Sequence, residues 1–252
     1  SYDYKLPQSL IAQHPAPKRD QSRMLFLERK SGKISNRNFT EIVSLLPKSS
    51  CLVINNTKVL PARIPGKRQS GGKIEALLIE KNNNGDWSAI VRKAGRIKQG
   101  ERLEFCDGKL LAKAKERLAE GEWLLEFEET ERLKERLEDV VLPPLPPYME
   151  RRNASDLQNT KDRERYQTCF ATEPGAIAAP TAGLHFTPEI LTEIGNRGID
   201  ILEVTLHVGL GTFSSIDQED IRKHKMHAEF FSISSQTLRQ FQVYQNNNKQ
   251  MI

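Results

Sequence analysis

Between Arg63 and Phe127 the chain breaks into short segments of alternating apolar and polar residues: Lys73 to Ile79, Trp87 to Val91, Arg102 to Phe105, Leu110 to Ala114 and Trp123 to Phe127. Turn residues separate them, in Gly71-Gly72, Asn84-Gly85-Asp86, Gly100 and Asp107-Gly108. A period of two sends alternate side chains to opposite faces, and segments this short with such turns build antiparallel sheet. Five or six strands of this kind must close or stack to bury one face, so the stretch predicts a small antiparallel β-barrel or sandwich. The flanking sequence follows another rule. Strand-like runs at Met24 to Leu27, Leu52 to Ile54 and Ile199 to Val208 alternate with helical patterns at Phe39 to Leu46 and about Glu189 to Asn196. The expected architecture is a mixed-sheet α/β domain of residues 1–62 and 146–252, with an inserted β-barrel and its connector over 63–145.

The connector reads as a charged helix from Glu129 to Asp139 followed by Leu142-Pro143-Pro144-Leu145-Pro146-Pro147-Tyr148, whose four prolines make it stiff and extended. Arg151 to Lys161 reads as a polar surface loop. Arg92, Lys93, Arg96 and Lys98 fall on one loop of the insert, which fits a phosphate backbone and a solvated loop equally well.

Chemistry concentrates between Gly175 and Phe213. Pro180, Thr181, Gly183 and His185 form a tight polar turn before Thr187-Pro188-Glu189, which has the threonine cap, early proline and first-turn acid of a helix start. Exposed N–H groups there are a seat for a carboxylate, phosphate or ribose oxygen. The helix stops at Gly198, and a buried strand then delivers His207 to its carboxyl end, where Gly209, Gly211 and Thr212 open a loop that lets a ligand approach the backbone. The two histidines are expected to face one pocket. Gly209-Leu210-Gly211 lacks the spacing of a dinucleotide fingerprint.

Other polar clusters carry two readings each. Arg19-Asp20-Gln21-Ser22-Arg23 fits a guanidinium fork for an anion or a surface ion-pair cluster. Asn55-Asn56-Thr57, followed by Lys58 and Arg63, fits a hydrogen-bonding edge for a polar ligand or an Asn-rich turn bonded to its own backbone. His224 and His227 are three apart, but the H-E-x-x-H arrangement is missing and no cysteine is near, so no metal site is expected; His227 and Glu229 read as a polar pair on a strand.

The chain has 252 residues, of which 37% are hydrophobic, enough for an ordinary core without staples. Cys51, Cys106 and Cys169 are an odd number without metal-like spacing, read as buried thiols in a reducing compartment. No signal peptide or membrane-length apolar run is present, so a cytoplasmic protein without membrane contact is expected. A net charge of +5 is compatible with a polyanionic partner.

Taken together, these blocks resemble the S-adenosylmethionine:tRNA ribosyltransferase-isomerase family of queuosine biosynthesis. The resemblance is carried by Leu6-Pro7 with Ile11-Ala12-Gln13, Arg19 to Arg23, Asn55 to Arg63, Leu145 to Tyr148, Arg165-Tyr166-Gln167-Thr168, Ala179 to Thr187, Thr205 to Phe213, and His224 with Met226-His227-Ala228-Glu229. It implies an α/β domain with an inserted β-barrel. It also implies transfer and isomerisation of the ribosyl group of S-adenosylmethionine onto 7-aminomethyl-7-deazaguanine at the tRNA wobble position, giving epoxyqueuosine and releasing adenine and methionine. S-adenosylmethionine is then a co-substrate, no separate cofactor is expected, the partner is tRNA carrying the aminomethyl base, and the enzyme is expected to be a monomer.

Such chemistry needs a base for the carbon beside the sulfonium and a proton for departing adenine. His185 and His207 are expected to supply these, since an imidazole can both accept and donate a proton near neutrality. Asn55, Asn56 and Thr57 are assigned to ribose or base edges, and Arg19 and Arg23 to the methionyl carboxylate or a tRNA phosphate. Asp20, Ser22, Arg63, Tyr166, Gln167, Pro180, Thr181, Gly183, Gly209, Gly211, Thr212, His227 and Glu229 complete the substrate-binding set. Members that resemble this sequence continue past the equivalent of Ile252 with a Gly-, Thr- and Arg-rich segment, an Asn-Phe-His segment and a glycine-aspartate tail. A non-catalytic tRNA-binding form is therefore the alternative. A hydrolase built on the same histidines lacks a G-x-S-x-G nucleophile.

Overall fold

The computed structural model describes residues 4–60, 63–92, 97–118, 122–128, 145–146, 148–149, 156–213, 220–224, 226 and 228–252. The helix expected over Glu129 to Asp139, the basic positions Lys93 and Arg96, and most of the proline connector lie outside these residues.

The chain begins with a hairpin of β1 (Arg23–Glu28) and β2 (Lys33–Asn38), then a 3-10 turn at Phe39–Glu41 that runs into α1 (Ile42–Leu45), then β3 (Ser50–Asn55) and β4 (Thr57–Val59). Six strands follow: β5 (Arg63–Arg68), β6 (Lys73–Lys81), β7 (Trp87–Arg92), β8 (Arg102–Phe105), β9 (Leu110–Arg117) and β10 (Glu122–Phe127). The remainder contains α2 (Asp156–Arg165), β11 (Glu173–Ala176), α3 (Pro188–Asn196), β12 (Asp200–Leu206), β13 (Phe231–Ser232), α4 (Ser235–Asn246) and β14 (Gln250–Met251). Contacts divide the chain into two compact units, one of Ser1–Val59, Pro146–Ala154 and Glu164–Ile252, the other of Leu60–Leu145 and Ser155–Arg163.

The second unit is a closed antiparallel barrel in the order β10-β7-β6-β5-β8-β9. Alternation explains its interior: Ile64, Ala76, Leu78, Ala89, Leu103 and Phe105 all point inward and are buried. Small and large side chains share the lumen, as a barrel this narrow requires. Gly66 is needed there, since a Cβ would fall 2.4 Å from the Phe105 ring.

The first unit carries a mixed sheet in the order β13-β12-β3-β14, in which β12 and β14 run parallel to β3 and β13 runs antiparallel to β12. Its core packs Leu52 and Ile54 of β3 with Phe39, Val43, Phe186, Ile190 and Ile194. The mixed α/β class with a barrel is as the sequence predicts. Both ends of α3 are too: the Thr187 hydroxyl accepts from the Ile190 N–H at 3.3 Å, Pro188 opens the helix, and Gly198 leaves it at φ +75°.

Several elements differ from expectation. The segment expected to be helical from Phe39 to Leu46 is split into a 3-10 turn and one α-turn. Residues 156–161, expected as loop, are the first six residues of α2. Strand β12 was expected to be buried, yet only Leu202 is, because Ile201, Glu203 and Thr205 border an open cavity instead of packed side chains. Cys51 and Cys106 are buried but Cys169 is exposed, which corrects the reading of three buried thiols.

A polar clamp joins the ends of α4 and β12. The Asp200 carboxylate accepts from Lys249 Nζ at 2.6 Å and from the Tyr244 hydroxyl at 2.7 Å, and Lys249 lies 4.4 Å above the Tyr244 ring. The Lys249 hydrogen bond, then that of Tyr244, holds the Asp200 carboxyl below the usual carboxylate range. The Asp200 hydrogen bond pushes Tyr244 up to about 12. The Asp200 contribution is therefore full above its unfolded value of about 3.9 and lost as pH falls through its lower folded value. The Tyr244 contribution is full below about pH 10 and lost as pH rises through the folded value. Measured Tm should decline on both limbs, and Asp200→Asn should flatten both; unchanged limbs in the variant would show that the clamp contributes nothing.

Candidate functional site

The site begins where β3 ends. Asn55 Oδ1 accepts from the Thr57 N–H at 3.1 Å and the Leu206 N–H at 3.0 Å, while its Nδ2 donates to the Leu206 carbonyl at 2.8 Å. Its amide thus acts as one more peptide unit in the β3–β12 ladder, whose last paired residues are Asn55 and Val204. Asn56 is buried and crosslinks the same strands: Nδ2 donates to Glu203 Oε2 at 3.1 Å and Oδ1 accepts from Thr205 Oγ1 at 2.8 Å. The Asn56 carbonyl accepts from the N–H groups of Thr172 and Glu173. Asn55 thus fits the reading of a turn bonded to its own backbone, whereas the Asn56 amide is held by side chains of β12.

This turn buries Thr57 completely and places its Oγ1 2.7 Å from His207 Nδ1. His207 follows directly on β12. Its N–H donates to the Phe230 carbonyl at 2.9 Å, and its ring stacks on Phe230 with centroids 5.3 Å apart and planes 19° apart. On Gly175 a Cβ would lie 2.4, 2.5 and 2.6 Å from Nε2, Cε1 and Cδ2 of His207. Near-equal distances to three ring atoms put that Cβ over the ring face, so only glycine admits the imidazole. The following loop is tied down by the Gly209 N–H, which donates to Glu229 Oε1 at 2.8 Å. Gly211 and Thr212 belong to a 3-10 turn at Leu210–Phe213, with Thr212 exposed.

His207 lines a cavity of about 660 Å³ whose wall includes Asn56, Glu173, Glu203, Thr205, Thr237 and Phe230. Amides, hydroxyls and carboxylates around one imidazole suit a polar ligand with several hydrogen-bonding atoms. His185 does not line this cavity. It ends the 3-10 turn Thr181–His185, and its ring lies 5.2 Å from that of Phe39.

The remaining expected residues gather around that turn. Arg19 donates to the carbonyls of Glu164 at 2.8 Å, Leu184 at 3.1 Å and Arg165 at 3.3 Å, binding the end of α2 to the turn. Burial, then neighbouring Arg165, lowers the Arg19 pKa from its ordinary value. Asp20 has one buried carboxylate oxygen with no partner among the described residues, and the Ser22 hydroxyl donates to the Arg19 carbonyl. Pro180 precedes the turn, Thr181 is exposed, and Gly183 is pressed so closely that a Cβ would meet Phe170 and Thr168 at 2.9 Å.

Tyr166 is buried, and desolvation pushes its hydroxyl up to about 12, against the Ala179 N–H hydrogen bond. Gln167 mimics a strand: its Nε2 donates to the Val59 carbonyl at 2.7 Å and its Oε1 accepts from the Val59 N–H at 3.0 Å. Arg23 is exposed on β1, and Arg63 is ion-paired with Glu75 in the barrel. His227 lies outside the described residues, and Glu229 is not in a strand. Among the described residues no group of three or more His, Cys, Asp or Glu is arranged to hold a metal, and no helix is long and apolar enough to cross a membrane.

Sequence reasoning missed Glu203 and Phe230 as cavity walls and gave Gly175 no role. A glycine inside a short strand was the available signal, since it marks a close approach of another group.

A sequence profile of the family described as queuosine biosynthesis protein matches residues 1–252. The S-adenosylmethionine:tRNA ribosyltransferase-isomerase of Staphylococcus haemolyticus is 44% identical over 237 residues, covering 94% of this chain and 67% of the relative. That of Acetivibrio thermocellus is 44% identical over 234 residues, covering 92% and 67%. Among solved structures, the S-adenosylmethionine tRNA ribosyltransferase of Thermotoga maritima is 30% identical, with 99% of this chain and 67% of that one covered and a TM-score of 0.41. The chain spans about two thirds of the length of these relatives.

Proposed function

Because the chain belongs to the queuosine biosynthesis protein family, we propose that it is an S-adenosylmethionine:tRNA ribosyltransferase-isomerase. It transfers and isomerises the ribosyl group of S-adenosylmethionine onto 7-aminomethyl-7-deazaguanine in tRNA, with release of adenine and methionine. The observation that carries this reading is the match over residues 1–252, which includes both histidine-bearing segments. The cavity beside His207 supports it, because a ribosyl group presents hydroxyls to which amides, hydroxyls and carboxylates bond with direction.

Within this reading His207 touches the reacting ribosyl or adenine portion, and His185 contributes from the neighbouring turn. Asn55 and Asn56 hold Thr57 and β12 in place and so act as positioning residues. Arg19 and Gln167 fix the segments that present the site. Arg23, exposed and without a partner among the described residues, is available to a tRNA phosphate. S-adenosylmethionine is consumed as a co-substrate, no separate cofactor takes part, and the chain works as a monomer in the cytoplasm, where its tRNA is found.

The test is to incubate the 252-residue chain with S-adenosylmethionine and tRNA carrying the aminomethyl base, then measure free adenine and the mass of the modified nucleoside. Adenine released in step with the epoxide-bearing nucleoside is the expected result. No release, with one of the longer relatives active alongside, would refute catalysis by this chain; salt-sensitive tRNA binding alone would then identify a binding form.

A further inference from the structure

The Thr57–His207 contact fixes more than a position. Thr57 is fully buried, and among the described residues the one hydrogen-bond partner of its hydroxyl is His207 Nδ1 at 2.7 Å. Two arrangements share that distance. In one, the threonine O–H donates to an unprotonated Nδ1. In the other, an Nδ1–H donates to the oxygen, and the buried hydroxyl hydrogen is left without an acceptor. A buried donor left unmade costs more than a made bond contributes, so the first arrangement prevails. Nδ1 as acceptor places the single proton of a neutral ring on Nε2.

We propose that Thr57 sets His207 as the Nε2–H tautomer, so that His207 serves the substrate as a hydrogen-bond donor and not as the base. A neutral ring in this form has no lone pair at Nε2 to receive a proton. His207 in this form therefore does not take the proton lost from the carbon beside the sulfonium. His207 instead donates to an acceptor atom of the ribosyl or adenine portion, where negative charge grows as the bond to adenine breaks. Thr57 is the positioning residue. The identity of the acceptor rests on the function proposed above; the tautomer does not.

The experiment uses the full chain labelled with ¹⁵N-histidine, recording long-range ¹H–¹⁵N correlations at pH 8 and assigning the ring by its loss in His207→Ala. The expected pattern has a pyridine-like Nδ1 and a protonated Nε2. In Thr57→Val, which removes the hydroxyl and keeps the shape, the pattern should shift toward a mixture of tautomers. Thr57→Ser should retain the single pattern. In the adenine-release assay Thr57→Val should lower kcat on the order of tenfold with KM little changed, and Thr57→Ser should restore it. An Nδ1–H pattern in the unaltered chain, or an unchanged single pattern in folded Thr57→Val, would overturn the proposal. If the chain releases no adenine, the spectra still decide the tautomer, so failure of the functional reading and failure of this inference are separable.

Discussion

His207→Ala is expected to lower the rate of adenine release by about 10²–10³, the usual cost of removing one oriented donor from a site of developing charge. The loss should fall on kcat, because a donor aimed at charge that grows during bond breaking contributes little to ground-state binding. tRNA binding should change far less, while Tm should fall modestly, because the buried Thr57 hydroxyl loses its Nδ1 acceptor. His207 is partly exposed, and the bonds that shape its surroundings, from Asn55, Asn56 and the Phe230 carbonyl, do not pass through the imidazole. A second substitution separates donor from base. His207→Gln keeps an N–H at roughly the reach of Nε2 and has no basic nitrogen, so it should recover part of the lost rate. If His207→Gln is as inactive as His207→Ala while both remain folded, donation is not the role. His185→Ala supplies the contrast, since His185 sits against Phe39 and outside the cavity wall. Equal losses at both positions would place both rings at the reacting centre.

How much of this was legible follows from which physical rule each element obeys. The barrel was readable because Ile74, Ala76 and Leu78, or Leu110, Ala112 and Ala114, alternate without interruption, and a period of two leaves one face to bury. The two ends of α3 were readable for local reasons: Thr187 and Pro188 meet the backbone requirements of its start, and Gly198 those of its stop. Resemblance placed the reaction, but residue roles needed coordinates. Asn55 and Asn56 have the same chemistry whether they face a ligand or a strand, and only the β3–β12 register decides that both turn inward. Gln167 reaches across 108 residues of sequence to Val59, a distance at which no pattern operates. The separation of His185 from the cavity beside His207 was hidden likewise. Both flank α3 and β12 in sequence, but the 3-10 turn aims the first toward Phe39 while β12 carries the second to Thr57.

Gly175→Ala tests this geometry without removing a polar atom. The new methyl would stand 2.4–2.6 Å from three atoms of the His207 ring, well inside any tolerated contact. Neither side yields easily. The ring is stacked on Phe230 and bonded to Thr57, while β11 is paired with β4 along Glu173, Pro174 and Ala176, with Gly175 at the shift in register. Either the imidazole leaves Thr57 or β11 lifts from β4. Overpacking of this kind costs about 1–3 kcal/mol of stability. Adenine release should fall about as far as in His207→Ala if the imidazole leaves Thr57, and less if β11 yields instead. The double variant decides whether the ring is the obstacle. With His207 cut back to alanine the space over Gly175 is open, so adding Gly175→Ala to His207→Ala should cost little further stability, giving a coupling energy of about the whole single-variant loss. Additive losses in denaturant unfolding would mean that the alanine strains β11 itself, and the close packing of Gly175 on His207 would not be what fixes the imidazole.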